Sequence, residues 1–397
     1  MKYKYVLLAS LGTLFMLSCT KEIEDSVPAC TFDEVAINTS NPLAPIYQEL
    51  LDEYTASGLP GVSVAIETPS DGWWLGTAGM ARIEDETPME PCHLQHSASI
   101  VKPYIATLIM RLSEQDKLDL DDPISGYLPE DMVANIANAE LATIRQLLNH
   151  SSGIYNFNSN LKIYVDTFND PLVHTTTETI FEKYVYGIDA SHPVGEEFDY
   201  SNTGYSLLGM IVESASEMSL GDYFDQEIVE VAGLQNTYYT SSPAYPDIPN
   251  TVNSYFEHYP GLLQNCTDIQ KDFSNAAMGH EGLIASTFDF ARFIQELMRG
   301  TILDSSTVAI MIADENRIDD SKTYGLGLQN YLTDYGDAYG HTGGSIGAVG
   351  YMMYFPDSDI TFSMNSNLSG VFAGANSERF YTDLKDEFLK VLFTGSR

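Results

Sequence analysis

Serine and lysine residues lie three positions apart at several places in this chain, and one such pair has the setting of a nucleophile. On a helix, residues i and i+3 are neighbours, so the lysine can act on the hydroxyl as a base or a hydrogen-bond partner. The pattern occurs at Ser18–Lys21, Ser99–Lys102 and Ser159–Lys162. Only Ser99 opens a strongly periodic apolar stretch, and Pro103 is tolerated only in a first turn. A helix is therefore predicted to begin near Ser99, with the hydroxyl at the positive end of the helix dipole.

Two further motifs occur once each. Tyr200-Ser201-Asn202 is the single Y-x-N in a chain with 25 tyrosines, and His341-Thr342-Gly343 is the single basic-Thr-Gly triplet. With Ser99-Ile-Val-Lys102, in that order, they resemble the three motifs of the serine β-lactamase/penicillin-binding protein family. Flanking segments at 59–66, 144–153 and 193–205 resemble the class C β-lactamase and DD-carboxypeptidase-like branch.

The resemblance implies a role for each matched residue. Ser99 would be the acylated nucleophile, Lys102 its activating partner, and Tyr200 the group that carries the proton to the leaving amine. Backbone N–H groups of Ser99 and Gly344 would form the oxyanion hole. The implied substrate-binding residues are Asn202, His341, Thr342 and Gly344. No metal and no cofactor are implied.

Some residues depart from the pattern of that branch. Class C β-lactamases usually carry lysine at the third motif, whereas His341 matches DD-carboxypeptidase-like and esterase-like members. A histidine can change its charge between pH 5 and 8, so we expect a visible titration of His341, and the alternative is a neutral histidine that contributes shape alone. His280-Glu281-Gly282 stands where a Gly-Gly pair is common, which is expected to reshape the rim of the site.

The pattern of elements predicts an α+β fold. Strand signals lie near both ends of the chain, at 61–67, 73–83, 324–330, 338–341, 348–355 and 360–365. Helical periodicity covers 101–112, 288–299 and 377–392. One antiparallel sheet flanked by helices, built from both termini, is therefore predicted, with a mainly helical lobe inserted at about 116–275.

The N-terminus has a basic start and an apolar run from Tyr5 to Leu17, which is typical of a secretory signal. Met16-Leu17-Ser18-Cys19 resembles a bacterial lipobox with Cys19 as the lipidated residue, and an ordinary signal peptide is the alternative. The predicted organisation is a signal at 1–18, an acidic tether at 19–44 and a hydrolase domain at 45–395. An exported lipoprotein is expected, on the periplasmic face of a membrane or at the cell surface.

Composition limits the partners. The chain has 19 Lys+Arg against 56 Asp+Glu, a formal charge of −37, which repels phosphate backbones, so no nucleic-acid partner is expected. Beyond Cys19, three cysteines remain, Cys30, Cys92 and Cys266, which permit one disulfide whose pairing stays open.

Several residues have a rival interpretation. Ser345 lies in a G-x-S-x-G pattern, but a strand follows it, so a turn is predicted rather than a nucleophile elbow. Cys92, His93 and His96 lack further ligands at zinc-binding spacing. Structural roles in the lobe are predicted for Arg145, Asn149 and His150, and Arg317 or Lys322 could meet a substrate carboxylate.

The most favoured function is acyl transfer to water from D-Ala-D-Ala-like peptide amides, as in a DD-carboxypeptidase. β-Lactam hydrolysis, short-chain ester hydrolysis and D-aminopeptidase activity remain open alternatives within the same family. An alternative of another class is a penicillin-sensing module that becomes acylated without turnover. The expected partners are a peptidoglycan-stem-like peptide, a β-lactam or ester, and a membrane through the lipid anchor.

Overall fold

The computed structural model describes residues 32, 37–170, 176–240, 248–259, 261–313, 316–319, 321–370 and 375–397. The predicted signal, Cys19 and most of the predicted tether lie outside these residues. The described end of the predicted tether contacts the domain: the Asn38 N–H donates to the Trp73 carbonyl at 2.8 Å, and Asn41 is buried. Among the described residues, no helix has the length and apolar character needed to span a membrane.

A nine-stranded antiparallel sheet forms the centre of the domain, with the order β3-β2-β1-β14-β13-β12-β11-β10-β9. The N-terminal strand β1 pairs with the C-terminal strand β14, so both ends of the chain build one sheet, as the sequence predicts. The fourteen described strands are β1 (Gly61–Thr68), β2 (Gly72–Arg82), β3 (Thr87–Pro88), β4 (Leu94–His96), β5 (Thr237–Tyr239), β6 (Tyr255–Tyr259), β7 (Leu262–Asn265), β8 (Leu283–Ser286), β9 (Asn316–Asp319), β10 (Lys322–Tyr324), β11 (Gln329–Thr333), β12 (Gly336–Gly344), β13 (Val349–Phe355) and β14 (Ile360–Ser366).

Helices cover both faces of this sheet, which confirms the predicted α+β class. The thirteen described α-helices are α1 (Ala44–Ala56), α2 (Val101–Glu114), α3 (Glu130–Asn135), α4 (Ile144–Leu148), α5 (Leu161–Asn169), α6 (Thr177–Tyr184), α7 (Asn202–Ser216), α8 (Leu220–Phe224), α9 (Glu230–Ala232), α10 (Thr267–Asn275), α11 (Thr287–Met298), α12 (Ser305–Met311) and α13 (Ala375–Thr394). On one face, α1 and α13 pack through aromatic side chains: the Tyr47 ring lies 4.8 Å from Trp74 and 5.6 Å from Phe388.

The predicted strand at 324–330 is wrong in its extent. The structure has two short strands there, β10 and β11, which pair with each other through a turn at 325–328. Gly327 adopts φ +82° in this turn, a conformation that glycine accepts without steric cost, and the turn breaks what the sequence suggests is one strand.

Helix α2 lies between the sheet and the helical lobe, and its position determines where the site forms. Its residues Val101, Tyr104, Ile105 and Leu108 are inaccessible to solvent, and apolar residues occur on all its faces, which is typical of a core helix. The lobe between α2 and β8 is mainly helical, as predicted, although it also contains β5 and the β6–β7 hairpin. Strands β4, β8 and β5 form a small second sheet next to the start of α2.

Candidate active site

Ser99 and Lys102 lie at the beginning of the central helix, as the sequence predicts. Ser99 is in a 3₁₀ turn, Ala98–Ile100, that leads directly into α2. The Lys102 Nζ donates to Ser99 Oγ at 3.0 Å. Ala98 adopts φ +46°, an unusual conformation for a residue with a Cβ, and such local strain is frequent at functional sites.

Lys102 connects three elements of the structure. Besides Ser99, its Nζ donates to Asn202 Oδ1 at 2.7 Å and to the His280 carbonyl oxygen at 3.4 Å. The side chain is fully buried. Burial lowers the pKa of Lys102 to about 7, and the negative charge of Glu281 opposes that shift. Lys102 can therefore gain or lose a proton near neutral pH.

Tyr200 and Asn202 are brought to Lys102 by the start of α7. The Ser201 side chain caps this helix by accepting from the Gly204 N–H, and its own hydroxyl donates to the Ile154 carbonyl at 3.0 Å. The Lys102 Nζ lies 4.9 Å from the centroid of the Tyr200 ring, within cation–π distance. The motif thus places an aromatic ring and an amide next to one ammonium group.

His150, for which the sequence predicts a structural role in the lobe, contacts this segment. Its Nδ1 accepts from the Ser201 N–H at 3.2 Å, and its ring centroid lies 4.2 Å from that of Tyr200. Its carbonyl oxygen accepts from the Asp199 N–H at 2.8 Å. In the sequence, His150 stands out only because segment 144–153 resembles the family. That resemblance does not predict that the ring contacts Ser201 and Tyr200.

The third motif lies on β12 and forms the opposite wall. Gly343 permits the close approach of this strand, because a Cβ there would lie 2.4 Å from the Ser97 carbonyl oxygen. Gln329 Oε1 on the neighbouring β11 accepts from the Thr342 N–H at 3.1 Å and from the Thr342 hydroxyl at 3.2 Å. Gly344, the last residue of β12, follows directly.

The surroundings of His341 favour the neutral ring, which is the alternative to a titration near neutral pH. Its Nδ1 is hydrogen-bonded to the Thr342 carbonyl oxygen, so Nδ1 carries the proton, and Nε2 accepts from the Tyr324 hydroxyl at 3.0 Å. Burial, reinforced by the nearby positive charge of Lys102, lowers the pKa of His341 to about 3. The positive charge of the described site is therefore that of Lys102.

Other residues singled out in the sequence lie elsewhere. Ser345 is in the tight turn between β12 and β13, where its N–H donates to the Ala348 carbonyl at 2.8 Å, so no nucleophile elbow forms. The Lys162 ammonium pairs with Asp166 on an exposed face of α5. The Lys322 Nζ lies 5.1 Å from the Tyr331 ring. The positive charge of Lys385 on α13 contributes to the lowered pKa of Lys322, so Lys322 faces α13. The Arg317 side chain is outside the described part of the structure.

The cysteines and histidines do not form a metal site in the residues that the structure describes. Cys92 is disulfide-bonded, and the buried Cys266 is a free thiol, so the partner of Cys92 lies outside the described residues. His96 is buried, and its Nδ1 lies 3.3 Å from Ser274 Oγ.

Residues 47–384 match the Beta-lactamase family model. Because this match covers most of the chain, the chain belongs to the Beta-lactamase family, whose fold is the serine β-lactamase/transpeptidase fold. The resemblance stated from the three motifs is thereby confirmed.

Individual relatives agree with this assignment. The chain is 26% identical over 302 residues to penicillin-binding protein 4* of Bacillus subtilis, with 73% of this chain and 64% of that protein covered. It is 25% identical over 367 residues to penicillin-binding protein 4 of Amycolatopsis lactamdurans, with 86% and 88% covered. The crystal structure of a D-stereospecific amidohydrolase from Streptomyces sp. has a TM-score of 0.74 at 22% identity, covering 89% of this chain and 99% of that chain, and shows the same fold. The chain spans less than two thirds of the length of the Bacillus subtilis protein.

Proposed function

We propose that the protein is a serine hydrolase that acts through an acyl-enzyme on Ser99, with peptide amides of the D-Ala-D-Ala type as its favoured substrates. The observation that carries this proposal is the position of Lys102 Nζ, which donates to both Ser99 Oγ and Asn202 Oδ1 while lying against the Tyr200 ring. A hydroxyl that accepts from an ammonium keeps its own proton free to pass to a neighbouring base.

The reaction follows from this arrangement. Tyr200 reacts as the phenolate, which the Lys102 ammonium beside its ring favours. The Ser99 proton passes to the phenolate oxygen as Oγ attacks the carbonyl carbon of the substrate, and negative charge develops on the carbonyl oxygen. Backbone N–H groups of Ser99 and Gly344 stabilise that charge. The carbon–nitrogen bond then breaks, Tyr200 gives its proton to the leaving amine, and an ester on Ser99 remains. Water attacks the ester, which releases the acid and restores the Ser99 hydroxyl.

The choice of substrate rests on the relatives and on the site. The two penicillin-binding relatives and the D-stereospecific amidohydrolase support an amide next to a D-residue. Asn202, positioned by the bond from its N–H to Asn156 Oδ1, would hold an amide of the substrate. β-Lactams, short esters and D-amino-acid peptides remain the alternative substrates of the same mechanism.

Turnover of three substrates tests the proposal. Nitrocefin, a D-Ala-D-Ala peptide and a p-nitrophenyl ester are compared with wild-type protein and Ser99→Ala, and the adduct on Ser99 is identified by mass spectrometry. Sustained release of D-alanine that requires Ser99 supports the proposal. A single stoichiometric burst supports the alternative of a sensing module, and turnover that persists in Ser99→Ala contradicts the mechanism.

We also propose that the protein is an exported lipoprotein anchored through Cys19. The support is the basic start, the short apolar run and the lipobox-like Met16-Leu17-Ser18-Cys19. Expressed from its own gene, the wild-type protein is expected in the membrane fraction with an acylated Cys19 at its N-terminus. Cys19→Ala is expected to release it in soluble form. An unmodified N-terminus at another residue in the membrane fraction would contradict the anchor.

A further inference from the structure

Glu281 is a buried carboxyl group that the proposed reaction does not use. It lies between His280, whose carbonyl oxygen accepts from Lys102 Nζ, and Gly282, just before β8. Its side chain is only 6% exposed. A carboxyl group is rarely buried to this extent without a specific partner or role.

The neighbours of Glu281 form a polar cluster. The Ser274 hydroxyl and the Gln270 Nε2, both on α10, point toward Glu281 Oε2 at 3.3 and 3.5 Å. Gln270 Oε1 accepts from the Gly347 N–H at 2.9 Å, which ties the cluster to the turn after Gly344. The cluster therefore connects α10, the β12–β13 turn and the backbone that touches Lys102.

Lys102 has the hydrogen-bonding pattern of an ammonium group without a direct counter-ion. Its three acceptors, Ser99 Oγ, Asn202 Oδ1 and the His280 carbonyl oxygen, match the three protons of an ammonium and are all uncharged. In the described part of the chain, no carboxylate lies within ion-pair distance of Nζ. A buried ammonium is costly unless a negative charge nearby compensates for it.

We propose that Glu281 is a positioning residue that acts on the reaction through Lys102, because its negative charge keeps Lys102 in the ammonium form that holds Ser99 and Asn202. The inference rests on the proposed function in that it takes Ser99 as the nucleophile.

The pKa values of Glu281 and Lys102 agree with an electrostatic interaction between the two side chains. Burial raises the pKa of Glu281 to about 7, and the positive charge of Lys102 opposes that rise. Burial lowers the pKa of Lys102 to about 7, and Glu281 opposes that fall. Each charge therefore stabilises the other. Without the Glu281 charge, the pKa of Lys102 falls further, so Lys102 loses its proton at a lower pH.

Other titratable and charged groups also face this pair. The buried imidazoles of His150, His280 and His341 have lowered pKa values because of their burial, and Lys102 lowers them further, so these rings are neutral at pH 7. The remaining groups are His96 on β4, Lys271 on α10, Tyr164 on α5, Tyr200, and Tyr205 on α7. Burial lowers the pKa of His96 to about 3, so it too is neutral in the range tested below. Glu281 is the carboxyl group whose charge acts on Lys102.

The test is the pH profile of acylation in Glu281→Gln, which keeps the size of the side chain and removes its charge. The rate of labelling of Ser99 by a fluorophosphonate is measured from pH 5 to 9. The part of the profile that follows the deprotonation of Lys102 is expected to move to lower pH by about one unit. This is the size of pKa shift that a nearby opposite charge produces. The wild-type and variant rates are expected to converge at pH 5, where Glu281 is protonated, and to diverge above pH 7.

Two further variants separate this role from a structural one. Glu281→Asp keeps the charge and is expected to keep the wild-type profile. Glu67→Gln is the matched control, since Glu67 on β1 is a partly buried carboxyl group that accepts from Gln295 Nε2 outside the site. It is expected to leave the profile unchanged.

A rate in Glu281→Gln that falls by the same factor at every pH overturns the inference, because only a structural role would do that. If Glu281→Gln does not fold, Ser274→Ala carries the test. It removes a donor to Glu281 and raises the pKa of Glu281, so Glu281 carries less negative charge at a given pH. The part of the profile that follows the deprotonation of Lys102 must then move to lower pH, by less than in Glu281→Gln, and the inference is overturned if it does not move. If Ser99 is not labelled in the wild type, the proposed function itself fails, and that outcome differs from labelling with an unmoved profile.

Discussion

The two walls of the site differ in the pKa of the titratable side chain that each one contributes. The wall formed by α2 and the start of α7 contains Lys102, with a pKa near 7, between Ser99 and Asn202. The wall formed by β12 contains His341, whose pKa of about 3 keeps it neutral. Both side chains are almost completely buried, and burial lowers both pKa values, from ordinary values of 10.5 for lysine and 6.5 for histidine.

The hydrogen-bond partners of each group match its charge state. Lys102 has three oxygen acceptors and the charge of Glu281 nearby, whereas His341 has one carbonyl acceptor at Nδ1 and a hydroxyl donor at Nε2. In the neutral ring, Nδ1 donates to the Thr342 carbonyl and Nε2 accepts from the Tyr324 hydroxyl, so both nitrogens have a partner without a charge on the ring. We infer that the helical wall moves protons, whereas the strand wall contributes shape and hydrogen bonds.

The largest expected effect comes from removing the nucleophile on the helical wall. Ser99→Ala should abolish covalent labelling by fluorescent penicillin or fluorophosphonate and reduce turnover by about 10⁴-fold or more. Labelling is followed on gels and the adduct is mapped by mass spectrometry, with folding checked by circular dichroism. Ser345→Ala, which changes a turn on the strand side, should label normally. Labelling that survives in Ser99→Ala would show that another residue is the nucleophile.

The next effect concerns the proton carrier. Tyr200→Phe keeps the ring against His150 and Lys102 but removes the hydroxyl, so acylation should slow by about 10²- to 10⁴-fold. Single-turnover acylation rates measure this loss without interference from deacylation. Tyr127→Phe is the control, because it removes a hydroxyl that bonds to Asp122 in the lobe at 2.7 Å, away from the site. Similar rates in Tyr200→Phe and in the control would exclude Tyr200 as the proton carrier.

The sequence was sufficient to predict the residues of the helical wall and the plan of the sheet, because both depend on local pattern. Ser99 and Lys102 need only one helical turn, and the alternating strands at both ends of the chain predict their shared sheet. The lowered pKa of His341 could not be derived from the sequence, since it depends on burial and on the charge of Lys102, which lies on a helix distant in the chain. The same holds for His150 and Glu281, whose contacts with the site join segments far apart in the chain.

The neutral strand wall gives a smaller effect. His341→Gln preserves an uncharged polar side chain, and acylation should fall by no more than about tenfold, the value of one hydrogen bond, with an unchanged pH profile. In the wild type, the His341 ring signals should not titrate between pH 5 and 8 by NMR, because its pKa is about 3. A titration in that range, or a profile that moves in His341→Gln, would show that the strand wall carries charge after all.

The smallest effect tests how the helical wall is held. His150 adopts φ +59°, a conformation that Gly accepts freely and Asn more readily than other residues with a side chain, so His150→Asn and His150→Gly can both keep the backbone path. The amide oxygen of Asn can replace Nδ1 as acceptor of the Ser201 N–H, whereas Gly leaves that buried N–H without a partner. We expect acylation by His150→Asn to be about threefold slower than in the wild type, from loss of the ring against Tyr200.

His150→Gly should be slower than His150→Asn by about a further tenfold, because an unsatisfied buried N–H costs about 1–3 kcal/mol and loosens the segment that holds Tyr200 and Asn202. Acylation rates at saturating reagent separate this loss from weaker binding, and the melting temperature reports any general destabilisation. If Asn and Gly at this position give the same rate, the bond to Ser201 does not position the site. His150 would then contribute through its ring alone, and the helical wall would be held by the cap of α7 and by the bond of Asn202 to Lys102.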